Sequence, residues 1–527
     1  MMLMNKWTVV AVLALAQFVM VLDSTVMNVS IQEVVTDLGT TVSSMQAAIT
    51  FYTLTMAAFM LIGAKIASKL GLVKAFVIGA LIYGAGSLIT GLSQNIQTLM
   101  LGWSLIEGLG AVLVIPTIAA LIATNYKGKE RITAYAIIGG VSGAAVAAGP
   151  LIGGFVTTYF SWRYVFIAET IIMLAVLFFA KKFKDVSAKS NKPIDLLSGL
   201  LSAAGMALVV FGMLQSKVWG WVTPILTPQI NGQPIAPFGI SVVAYLIIFG
   251  SVILWLFYER QKKLETQKAN PLVDVSLFKI NRLRSGLAVL FSQYVITASV
   301  FFVIPIYLQM ILGKDALETG IKILPLSVGL ILFSLAGTKL SAKYSPKKIV
   351  RLGQIVLVVS TLLLLQAINK DLTGVLFAIA MLLLGAGLGL LASQLGNINM
   401  SSVAEDKSSQ VGGLQGAFQN LGSSFGTALI GSVMIASLTT GFISNVQSSS
   451  LPSNIKEYVQ LNTKSVQILP SSDVEQYAID TGLSQTESQQ IATIYQQAQL
   501  QGLKKALFYL VVITLLSILL SRNLPNK

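Results

Sequence analysis

The chain is a succession of apolar stretches separated by short polar ones, and nearly every apolar stretch is long enough to cross a bilayer. A spanning helix needs about 20 apolar residues, because the hydrocarbon core is about 30 Å thick and a helix rises about 1.5 Å per residue. Fourteen stretches qualify: residues 7–29, 44–64, 75–92, 97–122, 132–158, 162–180, 195–215, 238–258, 285–310, 320–338, 350–368, 372–396, 412–440 and 504–521. The first begins like a signal peptide, with Lys6 ahead of it. Its apolar run to Val29 is too long for a signal core, however, and no small-residue cleavage site closes it, so it reads as a span. The pattern predicts an all-α integral membrane protein of fourteen transmembrane helices.

Composition agrees. The 527 residues are 54% hydrophobic and 11% charged, against about 25% charged in soluble proteins. The net charge of +15 would suggest nucleic acid in a soluble chain. Here the basic residues fall in short loops, where the positive-inside rule accounts for them, and no nucleic-acid partner is expected. Loops on the side of the termini carry most of them, among them Lys65, Lys69, Lys74, Lys127, Lys129, Arg131, Lys181, Lys182, Lys184, Lys189, Lys192, Lys339, Lys343 and Lys407. The opposite loops carry Lys217, Lys314, Lys370, Lys456 and Lys464. The asymmetry predicts a multi-pass protein with both termini in the cytoplasm, and its clean alternation supports the count of spans. There is no cysteine, which excludes disulfides and thiolate metal sites, and no histidine, so proton handling near neutral pH falls to carboxylates.

Residues 63–74 (GAKIASKLGLVK) and 337–348 (GTKLSAKYSPKK) place Gly63, Lys65, Lys69 and Lys74 in one register with Gly337, Lys339, Lys343 and Lys348. The strings follow spans 2 and 10. The simplest organisation is two six-helix halves, spans 1–6 and 9–14, with spans 7 and 8 inserted: residues 1–185, 186–268 and 269–527. Parallel halves of this kind are a transporter architecture. Chance likeness of two basic loops is the competing account. The lysines Lys65, Lys69, Lys74, Lys339 and Lys343 are candidates for a cytoplasmic gate between halves, topology alone being the alternative. The external loop 442–503, rich in Ser and Gln, is expected to be short amphipathic pieces over the mouth or a solvated spacer.

Acidic residues inside spans carry the candidate chemistry, since each costs about 2.5–3.5 kcal/mol at a helix centre on insertion scales. There are three: Asp23, Glu107 and Glu169. At 1.5 Å per residue they lie about 9, 14 and 10 Å from the outer ends of their helices. If those helices share a cavity, the three form an acidic zone suited to exchanging a proton for a cation. Asp23 and Glu107 are also candidate substrate contacts. The alternatives are local: Asp23 locked in interhelical hydrogen bonds beside Ser24, Thr25 and Asn28, and Glu169 paired with Arg163.

Gly149-Pro150-Leu151-Ile152-Gly153-Gly154 interrupts the fifth span with residues that weaken a helix, tolerated in lipid where neighbours pack closely. Gly385-Ala386-Gly387-Leu388-Gly389 resembles part of a dinucleotide fingerprint but lacks its strand–turn–helix setting, and reads as helix packing. No catalytic triad, phosphate loop or metal-ligand spacing appears, which argues against an enzyme.

These strings resemble the major facilitator superfamily, specifically its fourteen-helix drug/proton antiporters. Leu22-Asp23-Ser24-Thr25-Val26-Met27-Asn28-Val29 resembles the helix 1 motif LDxTVxNVALP, with Gln32 in place of the proline. Ala148 to Gly154 resembles the antiporter motif GPxxGG, and Trp162-Arg163-Tyr164-Val165-Phe166 the WRWxF that follows. Ile304 to Gln309 and Gly320 to Pro325 resemble PxYLQ…GxxxLP. The resemblance implies the major facilitator fold, alternating access between two six-helix bundles, and efflux driven by protons. Asp23 takes the helix 1 carboxylate role, and Gly149, Pro150, Gly153 and Gly154 shape the seam between halves. The chain departs from the pattern in three further places. Ser68 precedes Lys69 where an aspartate is usual, Ser104-Leu105-Ile106-Glu107-Gly108 replaces RxxQG, and Glu169 stands where asparagine is frequent.

The expected function is proton-coupled export of amphipathic, cationic drugs or toxic compounds from a bacterial plasma membrane, with small-molecule substrate, lipid bilayer and protons as partners, no cofactor, and a monomeric state. Export of one endogenous metabolite or lipid-like molecule is the alternative, and a non-transporting sensor using loop 442–503 the third.

Overall fold

Fourteen helices of the computed structural model are long and apolar enough to cross a membrane; residues 6–181, 183, 193–230, 233–370, 372, 375–403, 407–463 and 466–526 are described. The spans are α1 Trp7–Val29, α2 Val42–Leu70, α3 Leu72–Gly91, α4 Ile96–Asn125, α5 Thr133–Tyr159, α6 Arg163–Ala180, α7 Leu196–Trp219, α8 Val242–Thr266, α9 Asn281–Ile311, α10 Ala316–Leu340, α11 Pro346–Ala367, α12 Leu376–Met400, α13 Gln410–Gln447 and α14 Gln485–Asn523. An even number of crossings returns both ends of the chain to one face, the terminal face; the other is the opposite face. Lys182, Lys184, Lys189, Lys192 and Lys464, and the expected boundary at residue 185, lie outside the described residues.

Local chemistry sets the helix ends. Thr41 accepts the Ser44 N–H at 3.1 Å at the start of α2, and the reciprocal pairs Asp315–Glu318 and Ser484–Glu487 cap α10 and α14. Gly71, at φ 96°, is the joint between α2 and α3, a conformation open to glycine and costly for other residues.

Small residues then set the packing. A Cβ on Gly63 of α2 would strike the Val112 carbonyl of α4, and one on Gly337 of α10 would strike Ser393 of α12. Gly149 and Gly153 seat α5 on Thr25 and Val26 of α1, as Gly422 and Gly426 seat α13 on Phe291 and Val295 of α9. Each contact recurs eight helices later. The lysine-bearing repeat in the sequence is thus the visible part of a repeated packing scheme. α7 and α8 stand outside it, held to each other where Gly205 and Gly250 meet. An ion pair of 2.8 Å between Asp195 and Arg260 also joins them. α7 reaches the rest of the bundle, burying Val210, Met213 and Leu214 with Leu54 of α2 and Ala428 of α13.

Three expectations on boundaries are corrected. α7 runs on to Trp219, so Lys217 is not a loop residue but a buried one, 7% exposed. α8 extends to Thr266 and takes Arg260, Lys262 and Lys263 into its last turns. α14 starts at Gln485 rather than residue 504, so the segment between α13 and α14 is 448–484 and not 442–503. That segment contains helices Ser453–Asn462 and Ser471–Asp480 and is folded onto its neighbours. Tyr495 of α14 donates to the Gln467 carbonyl at 2.7 Å and accepts the Leu469 N–H at 2.9 Å, and the Val466 N–H reaches Thr439 of α13 at 3.0 Å. A solvated spacer would make none of these bonds.

Candidate functional site: a buried carboxylate cluster

Asp23 of α1, Glu107 of α4 and Glu169 of α6 meet inside the bundle. They are 0%, 0% and 1% exposed, and one carboxylate oxygen from each lies within 4.8 Å of the others. The sequence placed them at similar depths; the fold turns them toward one point. Part of that turn comes from α4, which is π-helical over Met100–Glu107. A widened turn of this type re-aims side chains and is frequent at functional sites. α3 closes in behind it. Gly86 lies so near that a Cβ there would sit 2.5 Å from the Glu107 backbone nitrogen.

The surroundings are polar but uncharged. The Trp103 indole N–H is shared by the two Asp23 oxygens at 3.0 and 2.9 Å. Tyr52 lies beside Asp23 and stacks on Trp103, with centroids 4.9 Å apart. The Ser87 hydroxyl, on α3, lies 3.0 Å from Glu107 Oε2 and 3.5 Å from Glu169 Oε2. Glu107 Oε1 and Glu169 Oε1 are buried without a hydrogen-bond partner, and the buried Tyr83 hydroxyl lies against Glu107. Among the described residues no lysine or arginine pairs with any of the three acids. Arg163, the expected partner of Glu169, instead pairs with Asp37 and donates to the Ser93 carbonyl at 2.7 Å.

A simple estimate shows what the arrangement demands. Two carboxylates with oxygens within 4.8 Å of each other repel by about 3.5 kcal/mol or more at an effective dielectric of about 20. Three ionised together would cost about 10 kcal/mol on the same basis. A cluster with no fixed countercharge is therefore stable only when positive charge comes from elsewhere, as a proton or a cationic guest among the three.

The Gly149–Gly154 string does not touch the acids. Gly149 and Gly153 pack on α1, directly after Asp23 in sequence, while Gly154 packs on the Ala316–Leu317 backbone of α10 and Gly320 of α10 on the Pro150 carbonyl. The Leu317 N–H reaches Thr158 at 3.1 Å. This seam is tight toward the opposite face. Toward the terminal face, Gly139, Gly140 and Gly143 of α5 meet nothing within 4 Å.

Two further polar junctions cross between helices far apart in sequence. Gln309 of α9 lies in a second π-helical stretch, Tyr307–Ile311. Its amide donates to the Val29 carbonyl at 2.6 Å and accepts the Gln32 N–H at 3.3 Å. The departure from proline at position 32 thus supplies a donor that proline lacks. In the other junction, Lys217 of α7 donates to Gln46 of α2 at 2.7 Å, and Gln46 donates to the Thr427 carbonyl of α13 at 2.9 Å.

The lysines expected to form a gate each have their own surroundings. Lys65 bonds Asn270 at 3.0 Å, Lys343 lies 5.8 Å from the ring centroid of Tyr344, and Lys69, Lys74 and Lys339 are exposed. Trp103, Tyr52, Tyr83, Ser87, Gln46 and Lys217 were not among the site residues expected from sequence. The available signal was spacing: Tyr83 and Ser87, like Trp103 and Glu107, are four residues apart on one helix face.

Comparison with known proteins places this geometry in context. The family model described as Major Facilitator Superfamily matches residues 13–211 and 197–427. The puromycin resistance protein pur8 of Streptomyces alboniger is 27% identical over 81% of this chain and 82% of its own length. The multidrug transporter protein MdtP of Bacillus subtilis is 26% identical over 80% and 74%, and the riboflavin transporter RibZ of Clostridioides difficile 25% over 82% and 90%. Among solved structures, a bacterial homologue of the human lysosomal transporter Spinster, inward-facing and unoccupied, superposes with a TM-score of 0.61 at 13% identity, covering 98% of this chain and 97% of that one.

Proposed function

The chain belongs to the major facilitator superfamily and is a multi-pass membrane transporter, and we propose that it works as a proton-coupled antiporter exporting amphipathic cations. The observation that carries the reading is the convergence of Asp23, Glu107 and Glu169 with no basic residue among them. Such a cluster needs a positive guest, and a proton and a cation serve equally. Binding of one disfavours the other by occupying the same charge, which is the linkage that antiport requires. The relatives named for drug resistance and multidrug transport support the drug class.

In this proposal residues 1–185 and 269–527 are the two moving halves and 186–268 the inserted pair. The packing that recurs after eight helices supports that division. The terminal face, with most of the basic residues, is cytoplasmic in a bacterial inner membrane. The tight α5–α10 seam toward the opposite face and the uncovered glycines toward the terminal face suit a state open to the cytoplasm. Protons entering from outside load the acids and release the cation; deprotonation toward the cytoplasm restores the site. Asp23 and Glu107 contact the substrate, and Lys65, Lys69, Lys74, Lys339 and Lys343 approach one another only in the state closed to the cytoplasm. The working unit is a monomer that needs no cofactor.

The test is proton release from proteoliposomes carrying a pH gradient, on addition of cationic, neutral or anionic compounds. Cations are expected to collapse the gradient, and Glu107→Gln to abolish that response. Intact proton-driven transport of a monovalent cation by Glu107→Gln would refute the role given to Glu107. A riboflavin transporter among the relatives favours one second reading, export of a single endogenous metabolite. Release by one neutral or anionic compound alone would establish it.

A further inference from the structure

The hydrogen-bond inventory of the cluster separates its three acids. Asp23 has both oxygens engaged by the Trp103 indole. Glu107 and Glu169 each have one oxygen near the Ser87 hydroxyl and one buried oxygen with no partner. The Tyr83 hydroxyl, fully buried, lies against the Glu107 carboxyl. A buried acceptor left unmatched costs free energy that a guest recovers only by donating to it. The open atoms are therefore two carboxylate oxygens on two different helices, with a hydroxyl beside them, and they ask for N–H donors as well as positive charge.

We propose that the site selects cations bearing at least two N–H donors, an amidinium, guanidinium or primary ammonium, with Glu107 Oε1 and Glu169 Oε1 as acceptors and Tyr83 as an auxiliary contact. A quaternary ammonium neutralises the charge but leaves both oxygens unmatched. Planar nitrogen forks meet carboxylates through charge-assisted hydrogen bonds, which are about twice as strong as neutral ones. A site built to bond such donors discriminates sharply against an analogue that lacks them. Asp23, its oxygens held by the Trp103 indole, then meets the cargo through its charge, and the two glutamates, which the family pattern does not have, choose among cargoes by hydrogen bonding. The inference rests on the cluster being the cargo site proposed above.

The experiment uses the full-length protein in proteoliposomes with an imposed pH gradient and two monocations of similar size, benzamidinium and phenyltrimethylammonium. Benzamidinium is expected to release protons at a half-saturating concentration at least tenfold lower. That preference should fall to near unity in Glu169→Gln, to near unity in Glu107→Gln when read by equilibrium binding in detergent, since that variant releases no protons, and by a few-fold in Tyr83→Phe, which keeps the ring and so the packing. Thermal unfolding in detergent confirms that each variant is folded. Equal responses to the two probes, or a preference surviving both glutamate substitutions, would overturn the inference while leaving cation antiport intact. No proton release with any cation would overturn the antiport reading itself and this inference with it.

Discussion

Replacing Gln309 by methionine should loosen the opposite face of the bundle by an amount that the structure lets one work out. Gln309 is 2% exposed and ties α9 to the break after α1 through two bonds, to the Val29 carbonyl at 2.6 Å and from the Gln32 N–H at 3.3 Å. The Gln32 N–H belongs to the first turn of the short helix Ile31–Asp37 and has no carbonyl of its own to meet. Methionine keeps the length and removes both polar ends. In the state open at the opposite face, water replaces both bonds, so only the closed state loses. A net hydrogen bond contributes about 0.5–1.5 kcal/mol; the short bond is worth the upper part of that range and the long one the lower, about 2 kcal/mol together. That is about a 30-fold shift toward the state open at the opposite face. Gln32→Pro removes only the longer bond, at a helix position where proline is tolerated, and should shift the ratio about two- to five-fold. Spin-label distances between the outer ends of α5 and α10 would read the populations. The order wild type, Gln32→Pro, Gln309→Met is expected; unchanged distance distributions, or a larger effect from Gln32→Pro, would refute the reasoning.

Other predictions follow from single contacts. Trp103→Phe keeps the stack on Tyr52 but strips Asp23 of its indole donor; a hydrogen bond to a charged group is worth about 1.5–3 kcal/mol, so both the thermal midpoint and proton-linked transport should drop, as scanning fluorimetry and vesicle assays would show. Gly320→Val drives a side chain into the Pro150 carbonyl and should cost about 1–3 kcal/mol of closed state, whereas Gly143→Ala, with nothing within 4 Å, should be close to neutral in the same labelling experiment. The Arg260 side chain holds the Asp195 carboxyl below the usual carboxylate range. The stability from that pair is fully present above the ordinary aspartate pKa of about 4. It is lost as pH falls through the lowered value, which hydrogen exchange at the start of α7 would follow. Arg260→Gln should weaken the pH dependence, leaving the part that Ser198 supplies.

Much of this was legible because membranes punish certain residues. Apolar length gave the fourteen spans, and the cost of a buried charge singled out Asp23, Glu107 and Glu169 before any coordinates. The boundaries that slipped did so where polar residues continue a helix. Gln485 to Gln501 is too polar to read as a span, yet its capping pair and the packing of Tyr495 and Ala498 against α13 extend α14. Lys217 looked like a loop charge because a lysine at a span's end usually faces water. Here Gln46, 0% exposed, supplies an uncharged partner inside. The companions of the acids were not legible for the converse reason: Trp, Tyr and Ser are cheap in a membrane, so Trp103, Tyr83 and Ser87 carry no warning. Gln32 was visible as a departure from the family pattern, but its use depends on Gln309, which sequence could not place beside it.

The Lys217–Gln46–Thr427 junction gives the inserted helices a meaning that their plain sequence conceals. Because α7 is bolted to α2 and α13 at once, the pair cannot simply be excised to leave a twelve-helix protein. Removal would strand the Gln46 side chain and the Ser432 hydroxyl, which donates to the Met213 carbonyl at 3.0 Å, and would uncover Leu54 and Ala428. A shortened chain would need apolar side chains at 46 and 432 before its halves could close. If α7 and α8 are an insertion, they have become part of the packing that they interrupt.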